Sequence, residues 1–86
     1  MEIILFDSLG WIGAFLLLLA YALVSFKKLA ADSIAYQGLN VIASILLAIN
    51  TLYHQAYPSS FVNIVWTFIA IFAILTVGRK YAKSSD

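Results

Sequence analysis

The chain has 86 residues, of which 64% are hydrophobic and 10% are charged, and its formal net charge is +1 at pH 7. A soluble domain carries about 25% charged residues, so this composition, with a mean hydropathy of +0.99, indicates an integral membrane protein embedded in a lipid bilayer. The small net charge argues against nucleic-acid binding, and the absence of cysteine excludes disulfides, thiol catalysis and cysteine-ligated metals.

The first predicted membrane span covers about residues 8–26, with Asp7 or Ser8 as its N-cap. The residues before it are acidic rather than basic, so they lack the positive start of a signal peptide. We therefore expect this helix to be retained. Small residues, including Gly10 and Gly13, share one face with Tyr21, and such a face favours close approach of another helix.

The second predicted span covers residues 33–53 and contains no charged residue. A helix of that length spans roughly 30 Å, the thickness of the hydrocarbon core. Five polar residues recur along it within an arc of roughly 60°, and turning such a stripe toward lipid is costly. We expect the stripe to face protein or water; its residues are Ser33, Gln37, Asn40, Ser44 and Thr51.

The third predicted span covers residues 60–77, after a loop that contains Pro58 and before Gly78, a fair C-terminal stop. Its face with Asn63 and Thr67 is polar, and we expect this face to oppose the stripe of the second helix. The sequence thus predicts a single all-α domain over residues 1–86, built as a bundle of three transmembrane helices.

The basic residues predict the orientation of the bundle. With three spans, the first loop and the C-terminus lie on the same side, and all five basic residues fall there. The positive-inside rule then places the N-terminus outside and the C-terminus in the cytoplasm, and we expect the cytoplasmic membrane of a bacterium as the location. The five residues are Lys27, Lys28, Arg79, Lys80 and Lys83.

The sequence gives little support for an enzyme, a cofactor or a metal site. The single histidine, His54, lies in the second predicted loop, and none of the four acids lies within a predicted span. Proton-coupled carriers usually depend on an intramembrane carboxylate, so a neutral solute is the better expectation. Amides, hydroxyls and aromatics supply the candidate substrate-binding residues: Asn63, Trp66, Asn50, Asn40, Gln37, Ser44, Thr67 and Tyr21.

The competing interpretation is that these polar groups only join helices. For Ser44 and Thr67 this interpretation is preferred, because hydroxyls also bond to their own helix. Asn50 lies about 100° from the centre of the stripe, so we expect it to face a different partner, such as a second subunit. Because three helices do not easily enclose a water-filled path, a carrier of this size would need to be a homodimer.

Several segments resemble the SemiSWEET half-transporters of the PQ-loop superfamily, roughly over residues 9–75. The first helix reads GWIGAFLLLLAY, the second begins with ADSIAYQGLN and ends with LLAINTLY, and the third reads FVNIVWTFIA. The resemblance implies a bacterial three-helix protein that dimerises to carry sugars. It also implies that Asn63 stands at the place of the family's sugar-site asparagine.

The chain departs from that family at two places. Tyr21 and the three residues after it stand where the family carries its Pro-Gln pair, and Asn50 stands where the family carries a sugar-stacking tryptophan. The chain resembles small bacterial three-span proteins without the Pro-Gln motif equally well. Two hypotheses follow: a homodimeric half-transporter for a small neutral polar solute such as a sugar, or a non-transporting scaffold or accessory membrane subunit.

Overall fold

The computed structural model describes residues 2–84, with side chains described for residues 2–79. It contains three α-helices: α1 (Glu2–Ser25), α2 (Ile34–Tyr53) and α3 (Tyr57–Ser84). The prediction of an all-α chain with three helices is confirmed. The side chains of Lys80 and Lys83, which belong to the predicted basic end, lie outside the described residues.

Helix α1 begins six residues earlier than predicted, so Asp7 and Ser8 lie inside the helix and do not cap it. The reason is the apolar run before them, which extends the helix and lets Phe6 stack on Tyr53 of α2, with ring centroids 4.1 Å apart. Ser33 caps the start of α2, since its hydroxyl accepts from the Tyr36 amide at 3.1 Å.

Helix α3 also exceeds its predicted bounds at both ends. It begins at Tyr57, because proline is tolerated in the first turn of a helix, where its missing N–H has no intrahelical partner. Residue 60, the predicted start of the third span, therefore lies inside the helix. At the other end the helix continues through Gly78, which does not adopt a positive φ and does not end it.

Helix α2 lies between the other two helices. It packs against α1 on one side and α3 on the other, whereas no Cα atom of α1 lies within 8 Å of one of α3 among the described residues. All three helices are long and apolar enough to cross a membrane. Helix length and composition thus indicate a small three-helix membrane protein.

Small and polar side chains form the buried contacts, and large apolar side chains point outward. The buried apolar residues are all alanines, while Asn40, Ser44 and Ser60 are the buried polar ones among the described side chains. This arrangement suits a bilayer, where small residues let helix backbones approach and lipid covers the larger side chains. The buried alanines are Ala20, Ala43, Ala48 and Ala70.

Candidate functional site

Three side-chain hydrogen bonds join α2 to α3 at successive depths. The Ser44 and Thr67 hydroxyls lie 2.7 Å apart near the middle of both helices. The Ser60 hydroxyl donates to Thr51 Oγ1 at 2.9 Å near one end. Trp66 Nε1 donates to Asn40 Oδ1 at 3.1 Å nearer the other end. The expectation that the polar stripe of α2 faces the Asn63–Thr67 face of α3 is thereby confirmed. These three hydrogen bonds are called the α2–α3 ladder below.

Several candidate residues also bond to the backbone of the chain. The Asn40 amide donates to the Tyr36 carbonyl at 3.0 Å, and the Gln37 amide donates to the Ala31 carbonyl at 3.0 Å. Thr67 donates to the Asn63 carbonyl at 2.8 Å. Among the described residues, no buried side-chain nitrogen or oxygen lacks a partner. Much of the polarity predicted to bind a solute is therefore already bonded within the chain.

Asn50 has its partner within the same chain. Its side-chain amide donates to the Phe6 carbonyl of α1 at 2.9 Å, and its side chain fills the space above Gly10, where a Cβ atom would lie 2.5 Å from it. The expectation that Asn50 points away from the α3-facing stripe is confirmed. Its partner is α1, so the amide is engaged without a second subunit.

Two grooves flank the α2–α3 ladder. One, of about 490 Å³, is lined by Thr51, Ser59 and Asn63 with three apolar residues. The other, of about 150 Å³, is lined by Tyr36, Gln37, Asn40 and Trp66 with two apolar residues. The apolar members are Leu47, Pro58 and Val62 in the first groove, and Ile69 and Ala70 in the second.

The side chain of Asn63 differs from the other amides of the predicted site. It is partly exposed and makes no hydrogen bond to another described residue, whereas Gln37, Asn40 and Asn50 are all bonded. Tyr21 is 66% exposed and lies on α1, away from either groove. The structure thus brings Asn63, Thr51 and Ser59 together and leaves Tyr21 separate.

The larger groove lies on the side of α2 that also faces α1. Leu47 lines that groove, and its Cγ would lie 3.1 Å from a Cβ added at Gly13 of α1. At about 100° per residue, the α1-facing and α3-facing residues of α2 differ in direction by roughly 90°. With interaxial distances of about 9 Å, α1 and α3 are then roughly 13 Å apart, in agreement with the absence of α1–α3 Cα pairs within 8 Å among the described residues.

A second cluster, which the sequence prediction did not use, joins α1 to α2 at the end of the bundle that holds the N-terminus of α1. His54 Nε2 lies 2.6 Å from Asp7 Oδ1, one residue from the Phe6–Tyr53 stack. The available signal was that Asp7 and His54 fall at the same end of the bundle in the three-span topology. Interpreting Asp7 as a cap concealed that relationship.

One family model matches residues 6–81. The chain belongs to that family. No curated protein and no solved structure matches the chain.

The part of the chain that matches the family includes every interhelical contact described above. It begins at Phe6, which stacks on Tyr53 and accepts from Asn50, and it extends past the α2–α3 ladder into the last third of α3. The family match therefore covers the three-helix unit as a whole rather than one of its helices.

The grooves offer neutral hydrogen-bonding chemistry. Amide, hydroxyl and indole groups line them, and none of the residues that line either groove is charged. Among the described residues, no group of three or more His, Cys, Asp or Glu side chains could hold a metal ion. A ligand in these grooves would be bound by hydrogen bonds and by packing against the Trp66 ring.

Proposed function

We propose that the protein is a SemiSWEET-like homodimeric half-transporter for a small neutral polar solute such as a sugar. The observation that carries the proposal is the unbonded side chain of Asn63 in the open groove beside Thr51 and Ser59. The resemblance to the SemiSWEET proteins assigns the same asparagine to solute binding. The groove beside Asn63 would form one half of a path whose other half comes from a second copy.

The depth of Asn63 supports a covered site. It lies six residues after Tyr57, the first residue of α3, which corresponds to roughly 9 Å along the helix. An amide that faces lipid at such a depth costs several kcal/mol. Because no described side chain of the same chain satisfies it, water in the groove, a bound solute or a second protein surface has to do so. A second copy related by a two-fold axis would supply such a surface and enclose the groove.

The charges support a neutral solute. The acidic residues Glu2 and Asp7 and the basic residues Lys27, Lys28 and Arg79 all lie toward the ends of the helices or in the first loop. The grooves between them expose only uncharged groups. An ion would lose its hydration there without gaining a counter-charge, whereas hydroxyls of a polyol would find donors and acceptors.

The proposed orientation places the N-terminus outside and the C-terminus in the cytoplasm of a bacterial cell. It rests on the segregation of basic residues to the end of the bundle that holds the first loop and the C-terminus of α3. The α2–α3 turn and the larger groove would then lie toward the outside.

Uptake by proteoliposomes tests this function. Purified protein is reconstituted, and entry of labelled sugars and other small neutral metabolites is measured for the wild type and for Asn63→Ala. We expect saturable uptake of at least one solute and a loss of at least tenfold in the variant. Thr76→Ala is the matched control, because Thr76 is exposed on the same helix and bonds only to Phe72 of its own helix. Absence of flux for every solute, or equal flux in Asn63→Ala, would refute the proposal.

The second candidate function is a non-transporting scaffold or accessory membrane subunit. Its specific support is the α2–α3 ladder, which uses Asn40, Ser44 and Thr67 for helix packing, together with the absence of a Pro-Gln pair in α1. Purification from native membranes separates the two candidates. A larger membrane protein that co-purifies in a fixed ratio supports the scaffold, and a self-contained dimer supports the half-transporter.

A further inference from the structure

A crevice distinct from the two grooves opens at the end of the bundle that holds the N-terminus of α1. Its volume is about 310 Å³, and it is lined by Asp7, Trp11, Asn50 and His54, with Gly10 and Ala14 completing the wall. None of these residues lines either groove beside α3. We propose that this crevice binds an organic ammonium group, and this inference does not depend on the proposed transport.

The carboxylate of Asp7 supplies the charge that an ammonium group needs. Its side chain is 49% exposed, and Oδ1 is the atom that contacts His54. Oδ2 makes no hydrogen bond to another described residue, so one acceptor of the carboxylate remains available. A bond between Oδ1 and His54 also fixes the direction in which Oδ2 points. A fixed carboxylate is a better cation site than a mobile one, since less side-chain entropy is lost on binding.

Two uncharged groups of the crevice, the Trp11 indole and the Asn50 amide oxygen, also suit an ammonium group. Trp11 lies four residues after Asp7 on α1, which places both side chains on the same face, and its indole is 78% exposed. An indole face attracts ammonium groups through its quadrupole. Asn50 donates through Nδ2 to the Phe6 carbonyl, which leaves its Oδ1 without a partner among the described residues. The crevice therefore presents a carboxylate, an amide oxygen and an aromatic face.

Gly10 keeps the crevice open. A Cβ atom at this position would lie 2.5 Å from the Asn50 side chain, so any larger residue would displace the amide from its bond to Phe6. The glycine allows the Asn50 side chain to pack against α1 beside Asp7 and Trp11. The shape of the crevice thus depends on the same close approach that packs α1 on α2.

The distribution of charge also favours a cation at this end. The acidic residues here are Glu2 and Asp7, the basic group beside them is the His54 imidazole on Asp7 Oδ1, and the sequence places every lysine and arginine in the first loop or after Gly78. His54 follows Tyr53, the last residue of α2. Because His54 contacts Asp7, Asp7 lies level with the end of that helix. This level corresponds to the lipid headgroups, where Trp side chains also prefer to lie. The ammonium could therefore come from a lipid headgroup or from a dissolved amine.

Fluorescence titration in bilayer nanodiscs of phosphatidylglycerol tests the site, because that lipid carries no ammonium group. Tetramethylammonium chloride is the probe, and sodium chloride at equal concentration controls for ionic strength. We expect a saturable change in tryptophan emission that disappears in Trp11→Phe and persists in Trp66→Phe. Asp7→Asn should raise the half-saturating concentration at least tenfold. Glu2→Gln, which removes an acid at the same end but outside the crevice, should leave it within twofold.

A second arm identifies the source of the ammonium. In nanodiscs that contain phosphatidylethanolamine, occupation by headgroups should raise the half-saturating concentration of tetramethylammonium several-fold in the wild type but not in Asp7→Asn. An unchanged concentration would support a dissolved amine as the ligand. No saturable change in phosphatidylglycerol, an equal response to sodium chloride, or equal affinities in wild type and Asp7→Asn would overturn the proposal. None of these results depends on solute uptake.

Discussion

The Ser44 hydroxyl of α2 lies 2.7 Å from the Thr67 hydroxyl of α3, and each is also within bonding distance of a carbonyl of its own helix. Ser44 is 2% exposed. When Thr67 donates to the Asn63 carbonyl, the Ser44 hydroxyl donates to Thr67, and the two bonds form a short polar chain from Ser44 to the backbone of α3. Polarity within a membrane span is thereby used for association of helices.

The Ser44–Thr67 bond should appear as a coupling energy. In a double-mutant cycle of Ser44→Ala and Thr67→Val, we expect coupling of about 0.6 kcal/mol and at most about 1.7 kcal/mol. The free energy of unfolding in mixed micelles is the measurement. A cycle that combines Ser44→Ala with Thr76→Val is the control, and its residues share no contact, so coupling should stay under about 0.5 kcal/mol. Equal coupling in the two cycles would contradict the bond.

The bond between Trp66 and Asn40 should show in the cost of leaving a buried amide oxygen unpaired, because Asn40 is 2% exposed. Trp66→Phe removes the donor and leaves Asn40 Oδ1 unsatisfied, which should cost about 1–3 kcal/mol of unfolding free energy. Replacing both partners, with Trp66→Phe and Asn40→Leu, should cost less than the sum of the two single changes. Trp11→Phe is the control, since Trp11 is exposed and should change stability little. A strictly additive double variant would show that the bond does not form.

Gly13 should not tolerate a side chain. A Cβ atom there would lie 3.0 Å from the Ala43 carbonyl and 3.1 Å from the side chains of Leu46 and Leu47. Gly13→Ala should therefore destabilise the protein by about 1–3 kcal/mol. At Gly38 nothing lies within 4 Å of an added Cβ, so Gly38→Ala should be neutral or stabilise α2 by up to about 1 kcal/mol through helix propensity. Thermal unfolding of both variants checks this, and similar losses in the two would disprove the close contact.

The proposed orientation can be tested by cysteine labelling, because the chain contains no cysteine. Tyr57→Cys places a thiol at the α2–α3 turn, where the side chain is 61% exposed, and Lys28→Cys places one in the first loop. In intact cells a membrane-impermeant maleimide should label the first variant, and the second only after permeabilisation. Labelling with the opposite preference would reverse the topology.

Much of the fold could be predicted because hydrophobic length and helical periodicity are local properties. The three helices and the opposition of the α2 stripe to Thr67 follow from spacing alone. The start of α1 could not be predicted correctly from a cap residue, because the Phe6–Tyr53 stack that accompanies its extra turn is a tertiary contact. Pro58 and Gly78 are typical of helix boundaries, but both residues lie inside α3.

The site was less predictable than the fold. Spacing showed that Asn50 points away from the stripe, but the partner depends on how α1 is rotated against α2, which no local pattern determines. The same rotation brings Asp7 to His54. The sequence shows that Asn63 is polar and that it resembles a sugar-site residue of the SemiSWEET proteins. Only the structure shows that its side chain, unlike those of Gln37 and Asn40, has no hydrogen-bond partner among the described residues.

The central position of α2 has a consequence for how the protein assembles during synthesis. Because α1 contacts α2 and not α3 among the described residues, the first two helices can form their complete interface before α3 has been made. Helices that leave the ribosome first generally fold first. The hairpin of α1 and α2 then presents Asn40, Ser44 and Thr51 as an exposed polar edge within the bilayer. When the third helix inserts, its Ser60 and Trp66 side chains donate to the free acceptor oxygens of that edge, so hydrogen bonding selects the face of α3 that packs on α2.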